Sequence, residues 1–302
     1  MRGENEFDMA NAPKSDLFLD TSIQIARNVH SPRTKEAIKK RLSLHSKHVT
    51  SLVVRQEFKR RLLKEAVYLL GKLHQYNSFN EVNHHVIRLF GLWHQRKQTI
   101  CLQTLLQVHG GSDAERTERL RLYLRSLLVS GLQRFDQTVD EVRTDSGCAC
   151  AQQAVVEKVP FRRYELGSDK CSRAKPGSCG VREFLEKRNE LRATIIQHFQ
   201  AIPPEKKSAE IQRAEQFLVK LLADSANVEK DDPCLTVGDL LIAMESAGIS
   251  HFLTLNSTES QHFCRVLGQT MIVQPVDPTK AEIVCKAEDQ QWPEFGGKRS
   301  AE

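Results

Sequence analysis

The chain has 302 residues, of which 40% are hydrophobic and 27% are charged, enough apolar sequence for one substantial core and a second module. This composition excludes a small disulfide-stapled peptide and a mostly disordered chain. The formal net charge of +6 suits a polyanionic partner but does not require one.

The sequence predicts no contact with a membrane. It contains no apolar run of about 18 residues, the length that a membrane helix needs. Its N-terminus is polar, where a signal peptide would be basic and then apolar. Eight cysteines are few for a secreted scaffold of this length. We therefore expect an intracellular, cytoplasmic protein with reduced thiols.

The first elements follow a polar tail. Residues 1–14 have no periodic pattern and are predicted to be loose. A short apolar run that ends at Asp20 predicts a buried strand, followed by a helix with Thr21 or Ser22 as its N-cap. Ser31 and Pro32 open a second predicted helix. A brief strand at 47–50 precedes a long helix with a 3.6-residue apolar period.

The middle of the chain is predicted to be mainly helical. Helices are expected at about 81–108, 114–132, 181–199 and 205–223. Between the second and third of these, residues 147–180 contain Cys, Pro, Gly and basic residues without a helical period, which indicates a loop-built subdomain.

The last part has a βα pattern. A helix is predicted to begin at Gly238 and to end at Gly248, and a strand at 251–256 follows it. A short helix at 260–267 and a strand at 270–275 complete the predicted elements. The polar residues beyond Asp277 are predicted to be loose.

Four acidic residues stand just after predicted strands or early in the helices that follow them: Asp20, Glu57, Asp239 and Glu259. Such positions meet at one edge of an open parallel sheet. Clustered carboxylates require cations, and two divalent ions with oxygen ligands can promote an in-line displacement at phosphorus. In the alternative interpretation, Asp20 and Asp239 are helix-cap acids and the two glutamates are solvated surface groups.

Four segments in chain order resemble the PIN-domain family of metal-dependent nucleases. They are Leu17-Phe18-Leu19-Asp20-Thr21-Ser22, the segment 49–58 that contains Glu57, Gly238-Asp239-Leu240-Leu241-Ile242-Ala243, and the segment 253–259 that ends at Glu259. The resemblance implies an α/β fold, a three-layer α/β/α sandwich around a parallel sheet. It also implies Mg²⁺ or Mn²⁺ as cofactor and cleavage of RNA more often than DNA.

The resemblance also implies residue roles. The four acids would hold the metal, and their supporting residues, which orient carboxylates or phosphate, would be Thr21, Ser22, Thr254 and Asn256. The family more often has Asp at the position of Glu259. The separation of Glu57 from Asp239 is far longer than a compact member needs, which predicts a mainly helical insertion that the resemblance does not cover.

These patterns predict a division of the chain into five parts. Residues 1–14 form a flexible tail, 15–75 the first part of the PIN-like domain, and 76–204 the helical insertion with a Cys-rich loop at 147–180. Residues 205–277 form the second part of the PIN-like domain, and 278–302 a polar tail.

The Cys-rich loop supplies four thiols, from Cys148, Cys150, Cys171 and Cys179. Four thiolates can close a structural Zn²⁺ site that folds a segment lacking its own apolar core. The spacing differs from that of a two-residue knuckle, so free or redox-active cysteines are the alternative. The other cysteines lie in or beside apolar stretches and are predicted to be small core residues, namely Cys101, Cys234, Cys264 and Cys285.

Two basic groups are candidates for nucleic-acid binding. The first follows Glu57 on its helix and consists of Lys59, Arg60, Arg61 and Lys64. The second lies in the loop region beside Phe161 and Tyr164 and includes Arg162, Arg163, Arg173 and Lys175. Basic and aromatic side chains together grip phosphates and stack on bases. Ordinary solvated surface is the alternative in both cases.

Together these features predict a metal-dependent phosphodiesterase of PIN type, an endoribonuclease in the leading hypothesis. Its partner would be a nucleic acid, with RNA favoured over DNA, and an inhibitory or regulatory protein is a further expected partner because such an enzyme needs restraint. One alternative is a catalytically weak PIN-like scaffold that binds RNA or a protein through the insertion. Another is a helical interaction protein whose acids are grouped by chance.

Overall fold

The computed structural model describes residues 15–89, 95–147, 155–158, 163–166, 180–223, 237–277, 279–289 and 292–293. The strands are β1 (Asp16–Leu19), β2 (Lys47–Ser51), β3 (Glu141–Arg143), β4 (Val155–Lys158), β5 (Arg163–Leu166), β6 (His251–Thr254), β7 (Thr270–Val273) and β8 (Ile283–Cys285). The first helices are α1 (Thr21–Val29), α2 (Pro32–Leu42), α3 (Leu52–Phe58), α4 (Lys64–Tyr76), α5 (Phe79–Arg88), α6 (Gln95–Leu105) and α7 (Asp113–Asp136). The later helices are α8 (Val181–Lys187), α9 (Asn189–Ala201), α10 (Ala209–Ala223), α11 (Gly238–Ser246) and α12 (Ser257–Val266).

One six-stranded sheet organises the fold, with strand order β3-β2-β1-β6-β7-β8. All neighbours in it run parallel except β7 and β8, which are antiparallel. The predicted α/β class with a parallel sheet is therefore confirmed. Between β1 and β6 the order of connection reverses, and in open α/β sheets the crevice outside the carboxyl ends at such a switch point is where ligands bind.

Both faces of the sheet are covered. The side chains of β1 alternate, as a strand requires: Leu17 and Leu19 pack on one face with residues of α1 and α2 such as Ile23 and Ile38. Phe18 points to the opposite face, where it stacks on Phe252 of β6 with ring centroids 5.4 Å apart. That second face is closed by α3, α11 and α12, so the architecture is a three-layer α/β/α sandwich.

The predicted long helix after β2 is present but contains an irregular turn. Ser51 caps α3 by accepting a hydrogen bond from the Val54 amide. A π-helical turn, Lys59–Leu63, then joins α3 to α4. The apolar period does not reveal this turn, because Leu62 and Leu63 remain buried on the core side.

Two strands of the sheet were not expected from the sequence. β3 lies within the residues assigned to the helical insertion, and β8 lies within the tail that was predicted to be loose. Each has three residues, and β3 has Val142 as its single apolar side chain, so neither carries a strand pattern of useful length. The sheet therefore draws on segments outside the two predicted core parts.

Several helix boundaries also differ. The expected helix at 81–108 corresponds to α5 and α6, and the one at 181–199 breaks at Arg188 between α8 and α9. α12 begins at Ser257, three residues earlier than predicted, and this places Glu259 inside the helix. Among the helices in the described ranges, none is both long enough and apolar enough to cross a membrane.

Candidate functional site

Asp20 is fixed at the carboxyl end of β1 by four hydrogen bonds. As the N-cap of α1, its carboxylate accepts from the backbone amides of Thr21 (2.7 Å) and Ser22 (3.4 Å). Its Oδ2 also accepts from the hydroxyls of Ser22 (2.6 Å) and Thr254 (2.8 Å). The cap-acid alternative thus describes Asp20 correctly, but two of these donors are side chains on different elements, and the carboxylate is only 8% exposed.

The strand pairing explains why Thr254 reaches Asp20. Leu19 of β1 lies opposite Leu253 of β6, so the residues that follow them are neighbours at the carboxyl edge. Thr254 Oγ1 also accepts from the backbone amide of Asn256 (2.8 Å). Of the predicted supporting residues, Ser22 and Thr254 contact Asp20 through their side chains, and Thr21 does so through its backbone.

Glu57 lies close to Gly238, the residue that precedes Asp239. Glu57 lies on α3 with a side chain 16% exposed, so it is not the solvated surface group of the alternative interpretation. A methyl group in place of a Gly238 hydrogen would lie 3.2 Å from Glu57 Oε1. Gly238 opens α11 and Asp239 follows it in the first turn, so this glycine is what lets the Glu57 carboxylate approach the start of α11.

A cavity of about 70 Å³ lies beside these carboxylates. Its lining includes three of the four predicted acids, and in full it consists of Glu57, Arg61, Glu210, Ile211, Arg213, Ala214, Val237, Gly238, Asp239, Leu240, Glu259 and Phe263. One wall is therefore α10, which the sequence did not connect with the acids. Its polar contributors, Glu210 and Arg213, carry no motif by which they could have been found.

The charges of the other three acids all act on the Asp239 carboxylate. Burial, as the largest cause, and the neighbouring charges of Glu57, Asp20 and Glu259 together raise the pKa of Asp239 to about 7, while Arg61 opposes them. Although Asp20 is not part of the cavity lining, it lies within electrostatic reach of the carboxylates that are. The site therefore concentrates more negative charge than its own cations neutralise.

The donor set fits a hard divalent cation in its chemistry, since carboxylate oxygens are the ligands that Mg²⁺ and Mn²⁺ prefer. In their present positions, however, no three His, Cys, Asp or Glu side chains among the described residues converge closely enough to hold one ion. The cluster is open, and the nearest cation to Glu57 is the chain's own Arg61, with Nη2 3.1 Å from Oε1.

The basic residues after Glu57 differ from one another in burial. Lys64 is exposed and Arg60 is partly buried, while Arg61 lines the cavity. Lys59 is fully buried, so it cannot reach a nucleic-acid phosphate in this conformation, contrary to the expectation for this position. It begins the π-helical turn and lies four residues before the buried Leu63, on the side of the helix that faces the core.

The second basic group and the predicted zinc ligands fall largely outside the described residues. This applies to Arg162, Arg173, Lys175, Cys148, Cys150, Cys171 and Cys179. Arg163 is the first residue of β5, opposite Lys158 in the antiparallel pair that β5 forms with β4. Cys101, Cys264 and Cys285 are buried, as predicted for core cysteines, and Cys234 also lies outside the described ranges.

Comparison of the chain with protein-family models, with curated proteins and with solved structures finds no match.

Proposed function

We propose that this chain is a metal-dependent phosphodiesterase that hydrolyses RNA at the carboxylate-lined cavity. The observation that carries the proposal is the position of the acids. Glu57, Asp239 and Glu259 line one cavity beside Asp20, at the switch point where α/β sheets bind ligands. The preference for RNA rests on the resemblance of the four segments to PIN-domain nucleases.

In this proposal each acid has a distinct part. Asp20, held by its four donors, offers carboxylate oxygens of fixed orientation. Glu57 lies close to Gly238, the residue before Asp239, and Glu57, Asp239 and Glu259 line the same cavity. Mg²⁺ or Mn²⁺ held by these oxygens would lower the pKa of an attacking water and neutralise the oxygens of an in-line displacement at phosphorus.

The test is cleavage of labelled single-stranded and duplex RNA and DNA by the purified protein, with Mn²⁺, Mg²⁺ or EDTA. Asp20→Asn and Asp239→Asn should each lower the rate by about 100-fold or more. The matched control is Glu118→Gln, which removes a charge from an exposed position on α7 and should leave the rate unchanged.

Equal cleavage by the wild type and both aspartate variants would identify a contaminating nuclease and contradict the proposal. Binding of RNA without cleavage at any metal concentration would instead support the scaffold alternative.

A further inference from the structure

The cavity contains a cation that belongs to the chain itself. Arg61 lies one helical turn after Glu57, and its Nη2 is 3.1 Å from Glu57 Oε1. The charges of Glu57, Asp239 and Asp20 all act on this guanidinium, and they raise the pKa of Arg61 against the opposing effect of burial. Arg61 therefore forms an ion pair with Glu57 and lies within electrostatic reach of the other two carboxylates.

The other arginine of the lining has a different partner. Arg213 pairs with Glu210 on its own helix at 2.9 Å, and its side chain is 54% exposed. Among the described lining residues, Arg61 is thus the basic side chain that faces Glu57 and Asp239. It keeps the acids partly neutralised, which buried carboxylates require.

A divalent ion and the Arg61 guanidinium would need the same Glu57 oxygens. The arginine occupies one of them, and no three acidic, histidine or cysteine side chains in the described part of the chain are arranged around a common point. Arg61 is also 37% exposed and has a long side chain, so it has room to turn away from Glu57. An interaction that exists in one state of a site and is lost in the other changes the affinity for the ligand by the corresponding factor.

We propose that Arg61 is an internal counter-cation of this site, which holds Glu57 while no metal is bound and must release it when a divalent ion enters. The inference rests on the proposed function, because it presupposes that the cavity binds such an ion. It adds a property that the acids alone do not have, namely that the affinity for the metal is set by competition with a residue of the chain.

The test measures metal binding and needs no nuclease activity. Mn²⁺ is titrated into the purified full-length protein by calorimetry, and thermal unfolding is recorded with and without Mn²⁺. Arg61→Gln should bind Mn²⁺ about tenfold more tightly than the wild type, because the competing ion pair is gone. The metal-free variant should melt at a lower temperature, and Mn²⁺ should raise its melting temperature by more than it does for the wild type.

Two further variants separate the ion pair from a general charge effect. Arg213→Gln removes a positive charge from the same cavity but not from Glu57, and should change the Mn²⁺ affinity by less than about twofold. Arg61→Lys keeps the charge but loses the fork of the guanidinium, and should tighten binding by about two- to threefold. It carries the test if Arg61→Gln does not fold.

The outcomes distinguish this inference from the proposed function. If the wild type binds Mn²⁺ and the Arg61 variants bind it with the same or lower affinity, the role of Arg61 is overturned, but the metal site is not. An equal gain in affinity for Arg213→Gln would also overturn it. Absence of Mn²⁺ binding in the wild type and in every variant would overturn both.

Discussion

The Asp20 carboxylate is oriented before anything binds to it. Its partners Ser22 and Thr254 come from α1 and β6. The Asp20 side chain therefore links α1 to a strand that lies more than 200 residues later in the chain. The Ser22 hydroxyl also accepts a hydrogen bond from the Leu255 amide at 2.9 Å, which adds a second link between these segments. Such neighbours fix a functional side chain more precisely than its own backbone can.

Thr254→Val should therefore reduce both catalysis and stability. The variant keeps the shape of a buried side chain but removes the donor to Asp20 Oδ2. We expect a loss of about 1.5–3 kcal/mol in the free energy of unfolding and a fall in kcat of about tenfold. Denaturant titration and single-turnover cleavage measure the two effects.

The matched control is Thr50→Val, because the Thr50 hydroxyl is equally buried and donates to the Leu19 carbonyl at 2.9 Å. It should cost about 0.5–1.5 kcal/mol of stability and leave kcat unchanged. Equal loss of kcat in both variants would mean that Thr254 acts on the fold alone.

Gly238→Ala is expected to displace Glu57 without harming the fold. The backbone at Gly238 does not have a positive φ, so alanine is compatible with it, but the new methyl group would crowd the Glu57 carboxylate. The free energy of unfolding should change by less than about 1 kcal/mol, while the Mn²⁺ affinity and the cleavage rate should each fall. In Gly71→Ala the new methyl group meets no atom within 4 Å, and this variant should retain both properties.

At the scale of elements, the π-helical turn between α3 and α4 decides which basic residues face the cavity. It lies between Glu57 and the regular helix that resumes at Lys64. Lys59 lies four residues before Leu63 and seven before Ala66, so helical spacing places it on the apolar side, and its assignment to a basic surface with Lys64 is wrong. The sequence does not reveal the π turn, because the buried residues Leu62, Leu63 and Ala66 also fit the spacing of a regular helix.

Close packing against this turn makes Gly131 of α7 sensitive to substitution. A methyl group at Gly131 would lie 2.9 Å from Leu63 Cδ2. Gly131→Ala should lower the free energy of unfolding by about 1–3 kcal/mol through overpacking, although alanine favours a helix more than glycine does. The control Ser130→Ala changes the adjacent, partly buried position, whose hydroxyl donates to the Ser126 carbonyl of the same helix, and should be near neutral. A stabilised Gly131→Ala protein would show that the two elements can move apart at little cost.

The interior strands of the sheet could be predicted from the sequence, whereas the two edge strands could not. β1, β2, β6 and β7 carry buried runs with a clear beginning and end, and all four were expected. β3 and β8 occupy the two edges of the sheet, where an edge strand gains its place from the strand beside it rather than from its own residues. Asp20, Glu57 and Glu259 come after the interior strands β1, β2 and β6, which is why their positions could be predicted, while the wall formed by α10 arises from tertiary packing alone.

For the whole molecule, two pairs of buried or partly buried histidines link stability to pH, namely His45 with His251 and His198 with His262. Burial, as the largest cause, and the facing charges of His251, Arg41 and His48 together lower the pKa of His45 to about 4, while a hydrogen bond with the Ser15 carbonyl opposes them. His262, which faces His198 and Arg265, has its pKa lowered to about 4 for the same reasons.

As the pH falls below 6.5, the ordinary value for histidine, the unfolded chain binds protons that the folded chain does not. The stability contributed by these neutral histidines is therefore present above pH 6.5 and is lost progressively toward pH 4. Denaturant titrations of His45→Asn and His262→Asn at pH 7.5, 6 and 5 should show a smaller decline than the wild type. His84→Asn, at an exposed position, should follow the wild type, and a parallel decline in all variants would refute this assignment.

The order of the acids along the chain also has a consequence for synthesis. Glu57 and Asp239 are separated by more than half of the polypeptide, so a ribosome that adds about 5–20 residues per second takes about 10 to 40 s to pass from one to the other. During this interval β1 lacks β6 at its side, and Asp20 lacks the hydroxyl of Thr254. A nascent chain thus carries half of the carboxylates without the geometry that brings them together, and the site is assembled only after β6 and α12 have been synthesised.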